Sequence, residues 1–296
     1  PYPIMMNNSI SSENYLLSNE IPIPKLGLGT WMIDDGDAAK AVRCAVELGY
    51  RHIDTAQGYG NERGVGEGVR TCGLPREDIF VTSKLDASIK DYRKTVDAIN
   101  ESIQKTGLGY LDMLLIHSPQ PWDVFRGSDH FLEGNREAWR ALEEAYKAGR
   151  LRAIGVSNFE KVDLDNILDQ CSVPPMVNQI LAHAGNMPFE LINYSKSRNI
   201  LVEAYSPVAH GEILNHGWLA RMAGKSRVEV PQLCIRYCLQ LGLLPLPKTA
   251  NPLHMAANIE LDFEIKESDM EELKNMQRIS DYGSSSHFPV FGGSIN

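Results

Sequence analysis

Apolar and polar positions along the chain follow two alternating rhythms. Short runs rich in branched apolar residues are each followed by a longer segment in which apolar residues recur at helical spacing, the pattern of strand–helix units that build a parallel sheet. The strand-like runs are KLGLG (25–29), HID (52–54), IFVTSK (79–84), MLLIH (113–117), AIGVS (153–157), MVNQ (176–179), LVEAYS (201–206) and LLPLPK (243–248). Helical spacing predicts helices over 37–48, 62–70, 90–106, 135–148, 159–170, 188–198, 231–241 and 252–258. Asp37 stands where an N-cap belongs, and Gly49, Gly107 and Gly149 stand where helices end. Eight such units without a Ser/Gly-rich linker predict an α/β fold, a single-domain (β/α)8 TIM barrel over 21–280. The rest reads as additions: a disordered or vector-derived lead over 1–20 with the start of a hairpin, a polar connection at 118–134, extra helices at 214–224 and 268–279, and a tail over 281–296. The alternative, a two-domain doubly wound fold, is weakened because no G-x-G-x-x-G follows any strand.

Composition narrows the partners. The chain of 296 residues is 43% hydrophobic, enough for a large core, and its formal charge of −9 comes with no basic run, which argues against nucleic acid. No apolar stretch is long enough to span a bilayer, and the first residues lack the order of a secretory signal, so a soluble, cytoplasmic protein without a membrane partner is expected. The five cysteines are scattered and suit reduced thiols, and no His spacing with nearby carboxylates predicts a metal site. The run GVSNF lacks the closing Gly of a nucleophile elbow.

In a barrel, side chains at the carboxyl ends of the strands converge on one mouth. Asp54, Lys84 and His117 end the second, third and fourth strand-like runs, and Tyr59 follows in a Gly-rich turn. Singly, each has a bland reading: a cap, a solvated amine, a satisfied core imidazole, a packing ring. Together, at adjoining strand ends, they form a proton donor. A phenol titrates near pH 10, a neighbouring ammonium lowers that value, and a carboxylate keeps the ammonium charged among apolar walls. The group reads as an acid aimed at a carbonyl or alkoxide oxygen, with His117 adding a hydrogen bond.

The ordered motifs GLGTW, YRHIDTA, YGNE, VTSKL, LDMLLIHSP, AGRLRAIGVSNF, VNQ, EAYSP and LPK, from about residue 22 to 280, resemble the aldo-keto reductases, and within them the 2,5-diketo-gluconate reductase-like microbial branch. The resemblance implies an NAD(P)H-dependent barrel enzyme with Asp54, Tyr59, Lys84 and His117 as its tetrad, hydride passing from nicotinamide to a carbonyl carbon while Tyr59 protonates the oxygen. It implies that Ser157, Asn158 and Gln179 hold the carboxamide, that Tyr205 stacks on the nicotinamide, and that Lys248 and Thr249 meet the adenosine 2′-phosphate, with Asn258 at the adenine. Thr30, Trp31, Ser206 and Val208 complete the expected cofactor cleft. The local alternative for Ser157 and Asn158 is capping of a helix starting at Phe159.

Departures from the family pattern touch both ligands. His254 stands where many members have Arg, and Ala257 where a Glu often contacts adenine. Because Lys248 remains, NADPH is expected over NADH, with NADH use left open. The frequent HWP is HSP here, and LAHAG (181–185) replaces a frequent E-x-HP. Trp31, Trp122 and Phe125 are expected to line the substrate pocket with Tyr59 and His117. Phe288 or Phe291 either folds over the mouth as a lid or lies in a disordered tail. A monomer acting on a small carbonyl compound is the family default. The competing reading is a nucleotide-binding sensor on the same barrel with little turnover.

Overall fold

The computed structural model describes residues 9–294; the start of the expected lead, 1–8, lies outside the described residues. A short antiparallel hairpin, β1 (Asn14–Leu16) and β2 (Pro22–Pro24), comes first. The hairpin shows that the later part of the expected lead is ordered, its Tyr15 hydroxyl donating to the Leu243 carbonyl at 2.8 Å. Then come eight parallel strands paired in chain order: β3 (Leu28–Gly29), β4 (His52–Asp54), β5 (Phe80–Leu85), β6 (Leu111–Ile116), β7 (Leu151–Ser157), β8 (Val177–Leu181), β9 (Leu201–Tyr205) and β10 (Leu244–Leu246).

The barrel closes between its last and first strands. Gly27 and Gly29 donate to the carbonyls of Pro245 and Pro247 at 3.2 and 3.0 Å. Proline supplies no N–H, so Pro245 and Pro247 only accept across this seam, and the two are tolerated where a ladder needing their donors would exclude them. The strands are buried almost throughout because both faces are covered; all six residues of β6 are buried.

The outer ring comprises α1 (Asp35–Glu47), α2 (Glu62–Arg70), α3 (Tyr92–Thr106), α4 (Leu132–Lys147), α5 (Lys161–Leu168), α6 (Phe189–Ser197), α8 (Val230–Gln240) and α9 (Pro252–Ile259), with α7 (Gly217–Lys225) and α10 (Glu267–Lys274) added. Each expected element exists, and the differences sit at ends. The first helix is entered at Asp34 rather than Asp37. The helix after β7 begins at Lys161, because Glu160 and Asp163 form a reciprocal capping box, so neither Ser157 nor Asn158 caps it. The last helix stops at Lys274, short of 279. The connection at 118–134 is polar as expected but carries a turn of 3-10 helix at Trp122–Val124 and the first turn of α4.

The second helix has glycines at 64, 66 and 68, each costing about 1 kcal/mol of helix propensity relative to Ala. Close approach explains them. A Cβ at Gly66 would stand 2.1 Å from the Thr106 carbonyl oxygen, and one at Gly64 would stand 2.2 Å from that of Asp35. The helix is thus pressed between α1 and the end of α3, and it anchors the loop that carries Tyr59. Gly66→Ala is expected to lower stability by about 1–3 kcal/mol despite its better helix propensity, measured by urea denaturation.

Candidate active site

Lys84, near the end of β5, is fully buried, and its ammonium makes three hydrogen bonds: to Asp54 Oδ1, to the Thr55 carbonyl at 3.0 Å and to the Tyr59 hydroxyl at 3.1 Å. These use all three of its protons. Asp54 ends β4, and its second oxygen accepts from Gln179 Nε2 at 2.8 Å across the barrel. His117, one residue past β6, presents its ring to Tyr59 with centroids 5.7 Å apart, edge to face. The four expected residues therefore meet at one place.

The loop carrying Tyr59 is held by side chains the sequence did not advertise. Asn61 donates to the carbonyls of Thr30 and Ile33 at 2.9 and 3.0 Å and accepts from the Thr55 hydroxyl, tying this loop to the one after β3. Gln57 donates to Ala98 and Ser102 and accepts from the Asp86 amide at 2.8 Å. Thr30 donates to the Asp54 carbonyl at 2.8 Å, so its side chain supports the strand end and does not line the cavity.

Burial and charge compete in setting the ionisation of these groups. Burial alone would strip Lys84 of its proton, but Asp54 more than offsets it and holds the amine above its ordinary range. For Tyr59 the balance differs from the sequence-based expectation: burial pushes the phenol up, and the pull of Lys84 only partly counters it. His117 is held well below the usual imidazole range by burial and then by Lys84 and Lys90, so it is neutral at pH 7. Its Nδ1 is buried without a partner among the described residues, which favours placing the ring's single proton on Nε2. Lys90, unnoticed in the sequence, donates to the Ser118 carbonyl at 2.7 Å, and burial lowers its amine to about 7.

Above the four residues opens a cavity of about 260 Å³. Of the expected residues, Trp31, Trp122, Ser157, Asn158, Gln179, Tyr205, Ser206 and Lys248 line it. Ser157 donates to the Gln179 carbonyl at 2.8 Å, and Asn158 donates to the His117 carbonyl at 3.0 Å while accepting from the Tyr205 hydroxyl at 2.6 Å. That last bond fixes the Tyr205 ring at the wall. Phe125 is not on the wall; it packs beside Trp122 and under the Arg126 guanidinium. Val208, Thr249, His254 and Asn258 also lie off the cavity: Val208 packs against the apolar cluster of α7 and α8, Thr249 accepts from the Asn251 amide, His254 is exposed on α9, and Asn258 is buried near its end.

The tail is ordered through residue 294 and folds across the mouth, its last two positions, 295 and 296, lying outside the described residues. Phe288 meets Trp31 edge to face at 4.9 Å, and Phe288, Pro289 and Val290 line the cavity. Phe291 stacks on Tyr282 at 4.3 Å, and the Tyr282 hydroxyl is held by His183 Nε2 at 2.7 Å and Asn186 Nδ2 at 2.9 Å. The unusual LAHAG segment thus supplies the tail's anchor. His210, another residue missed in the sequence, completes the aromatic cluster 5.2 Å from Trp31.

A parallel eight-stranded barrel with this polar group at its carboxyl end defines a barrel oxidoreductase, and the comparisons agree. The sequence signature described as Aldo/keto reductase family matches residues 25–278. The chain is 40% identical over 265 residues to the 9,11-endoperoxide prostaglandin H2 reductase of Trypanosoma cruzi, covering 88% of this chain and 90% of that protein. It is 37% identical over 264 residues to the glyoxal reductase of Bacillus subtilis, covering 88% and 92%. The crystal structure of the Bombyx mori aldo-keto reductase in complex with NADP superposes with a TM-score of 0.81 at 31% identity, covering 93% of this chain and 95% of that one. The chain belongs to the aldo/keto reductase family, and it is an enzyme of that family.

Removing Asp54 strands a buried cation. Asp54→Leu is expected to cost about 3–5 kcal/mol of stability, or to leave Lys84 neutral, read by denaturant unfolding at pH 7 and pH 10.

Proposed function

We propose that the enzyme reduces aldehyde or ketone carbonyls to alcohols, with Tyr59 as the proton donor and NADPH as the preferred cofactor. The observation that carries this reading is Lys84, buried beneath the cavity, bonded at once to Asp54 and Tyr59, which line the cavity together with His117. When bound, NADPH supplies the hydride.

The residues present fit a dinucleotide. Gln179 turns both amide protons to carboxyl oxygens, so its Oε1 is free to accept from a carboxamide. Tyr205, tethered through its hydroxyl, offers a flat face. Lys248 at the rim offers a positive charge suited to a phosphate. The NADP in the Bombyx mori complex supports the choice of cofactor by kinship.

The chain's own groups perform the proton chemistry. The carbonyl oxygen of a bound substrate sits between the Tyr59 hydroxyl and His117. Neutral His117 donates a hydrogen bond that polarises the carbonyl, and Tyr59, kept protonated by its burial, gives its proton as negative charge develops on the oxygen. The ammonium of Lys84 then stabilises the phenolate left behind, and Asp54 keeps that ammonium charged. Trp31, Trp122 and Phe288 enclose an apolar space suited to a small carbonyl compound, with the tail as its lid. The Bacillus subtilis relative named glyoxal reductase supports small aldehydes as the first substrates to test.

Tyr59→Phe is expected to reduce kcat for aldehyde reduction by at least about 100-fold while leaving the dinucleotide Kd, read by tryptophan fluorescence, within error. Retained turnover would remove Tyr59 from the donor role. Steady-state kinetics with both cofactors should give a higher kcat/KM for NADPH than for NADH, and Lys248→Ala should shrink that ratio by about tenfold or more, the worth of one charge-assisted hydrogen bond. Equal efficiency in the wild type would overturn the preference.

A further inference from the structure

Glu203 is a buried acid beside the tetrad that the proposed chemistry does not use. It lies in the middle of β9, fully buried, in register with Gln179 of β8 on one side and Leu244 of β10 on the other. The Gln179 amide nitrogen bridges two acids, donating to Asp54 Oδ2 at 2.8 Å and to Glu203 Oε1 at 3.0 Å. The other Glu203 oxygen has no hydrogen-bond partner among the described residues.

Charge counting decides its state. The cation bearing on it is Lys84, from β5, and all three of that ammonium's protons are taken by Asp54, Thr55 and Tyr59. The other charge facing it is Asp54 from β4, of like sign, while β8 contributes the neutral Gln179 and β10 the apolar Leu244 to Leu246. A second buried carboxylate would have neither a counter-ion of its own nor enough donors. We infer that Glu203 is held as a neutral acid that fixes the amide of Gln179, and that its ionisation weakens Tyr59 as a proton donor. This rests on the carbonyl-reductase reading above.

Both halves follow from the same contacts. With its NH2 on Asp54 Oδ2 and Glu203 Oε1, the Gln179 amide cannot flip, because the other orientation would set its oxygen against the Asp54 carboxylate and give up the bond it donates to Glu203. Its Oε1 is thereby committed to the cavity side. Burial, and then the charge of Asp54, push the Glu203 carboxyl up to about 8. Above that pH a second negative charge stands beside the Asp54–Lys84 pair. Negative charge disfavours phenolate, so Tyr59 parts with its proton less readily and reduction slows as pH rises. Glu203 is a positioning residue: it acts through Gln179, Asp54 and Lys84, not on the substrate.

The test pairs a measurement on cofactor-free protein with a rate profile. In infrared difference spectra with glutamate carboxyls isotopically labelled, the wild type at pH 6 should show the C=O band of a buried protonated acid that titrates near pH 8 and is missing from Glu203→Gln. In reduction assays, wild-type kcat at pH 9 should fall to roughly a tenth of its plateau, as for a single group with that midpoint, while in Glu203→Gln the alkaline limb moves up by about one pH unit or more. Absence of the band, or superimposable limbs in the two proteins, overturns the inference. A band in a protein that reduces no carbonyl sinks the reductase reading and leaves the neutral acid established. Should the variant not fold, Glu203→Met takes its place in both measurements, because buried Glu62 also carries a raised carboxyl and a wild-type band alone would not separate the two.

Discussion

An ammonium buried away from water needs acceptors for three protons and a charge of opposite sign, and the barrel gives Lys84 both from one neighbouring segment. Asp54 and the Thr55 carbonyl come from the end of β4 and the residue after it, and the Tyr59 hydroxyl comes from the following turn. Parallel pairing of β4 with β5 makes this possible, because it sets the two strand ends side by side at the same mouth. The rest of the site is arranged around that cation: His117 is kept neutral partly by it, and Glu203 has no proton of it to share.

The same buried setting changes the ionisation of the phenol. A reading based on charges alone makes Tyr59 acidic through Lys84, whereas burial outweighs that pull and leaves the phenol above its ordinary value. In the proposed reduction, a donor that stays protonated until charge develops on its partner is suited to the task, and the nearby ammonium matters most once the proton has left. Such differential stabilisation is what accelerates a chemical step. The scaffold serves it by rigidity: Asn61 and Gln57 stitch the Tyr59 turn to two neighbouring loops, and the glycines of α2 let that helix pack close enough to hold the turn's far end.

Above the chemistry, the cavity is shaped by residues distant in the chain. Trp31, His210, Phe288 and Phe291 meet there from three segments, and the Tyr282 hydroxyl ties the tail to His183 and Asn186. A loop that departs from its family's usual motif and a tail that read as either a lid or disorder turn out to be one unit. Neither stretch has a periodicity that announces this, because aromatic clustering and side-chain hydrogen bonds across the chain leave no local spacing to read.

The order and type of the barrel's elements were written in the chain, since a buried parallel strand and an amphipathic helix impose periodicities that a single sequence displays. So were Asp54, Tyr59, Lys84 and His117, because ionisable groups at strand ends stand out against apolar runs. Tertiary structure alone decided the rest. Glu203 looks like any acid within LVEAYS until β8 and β9 pair and set it on the Gln179 amide. Phe125 looks like a pocket residue until the chain turns it toward Arg126. The physical reason is the same in both cases: which side chain faces an interior, and which partner it finds there, depends on register and packing between segments far apart in sequence.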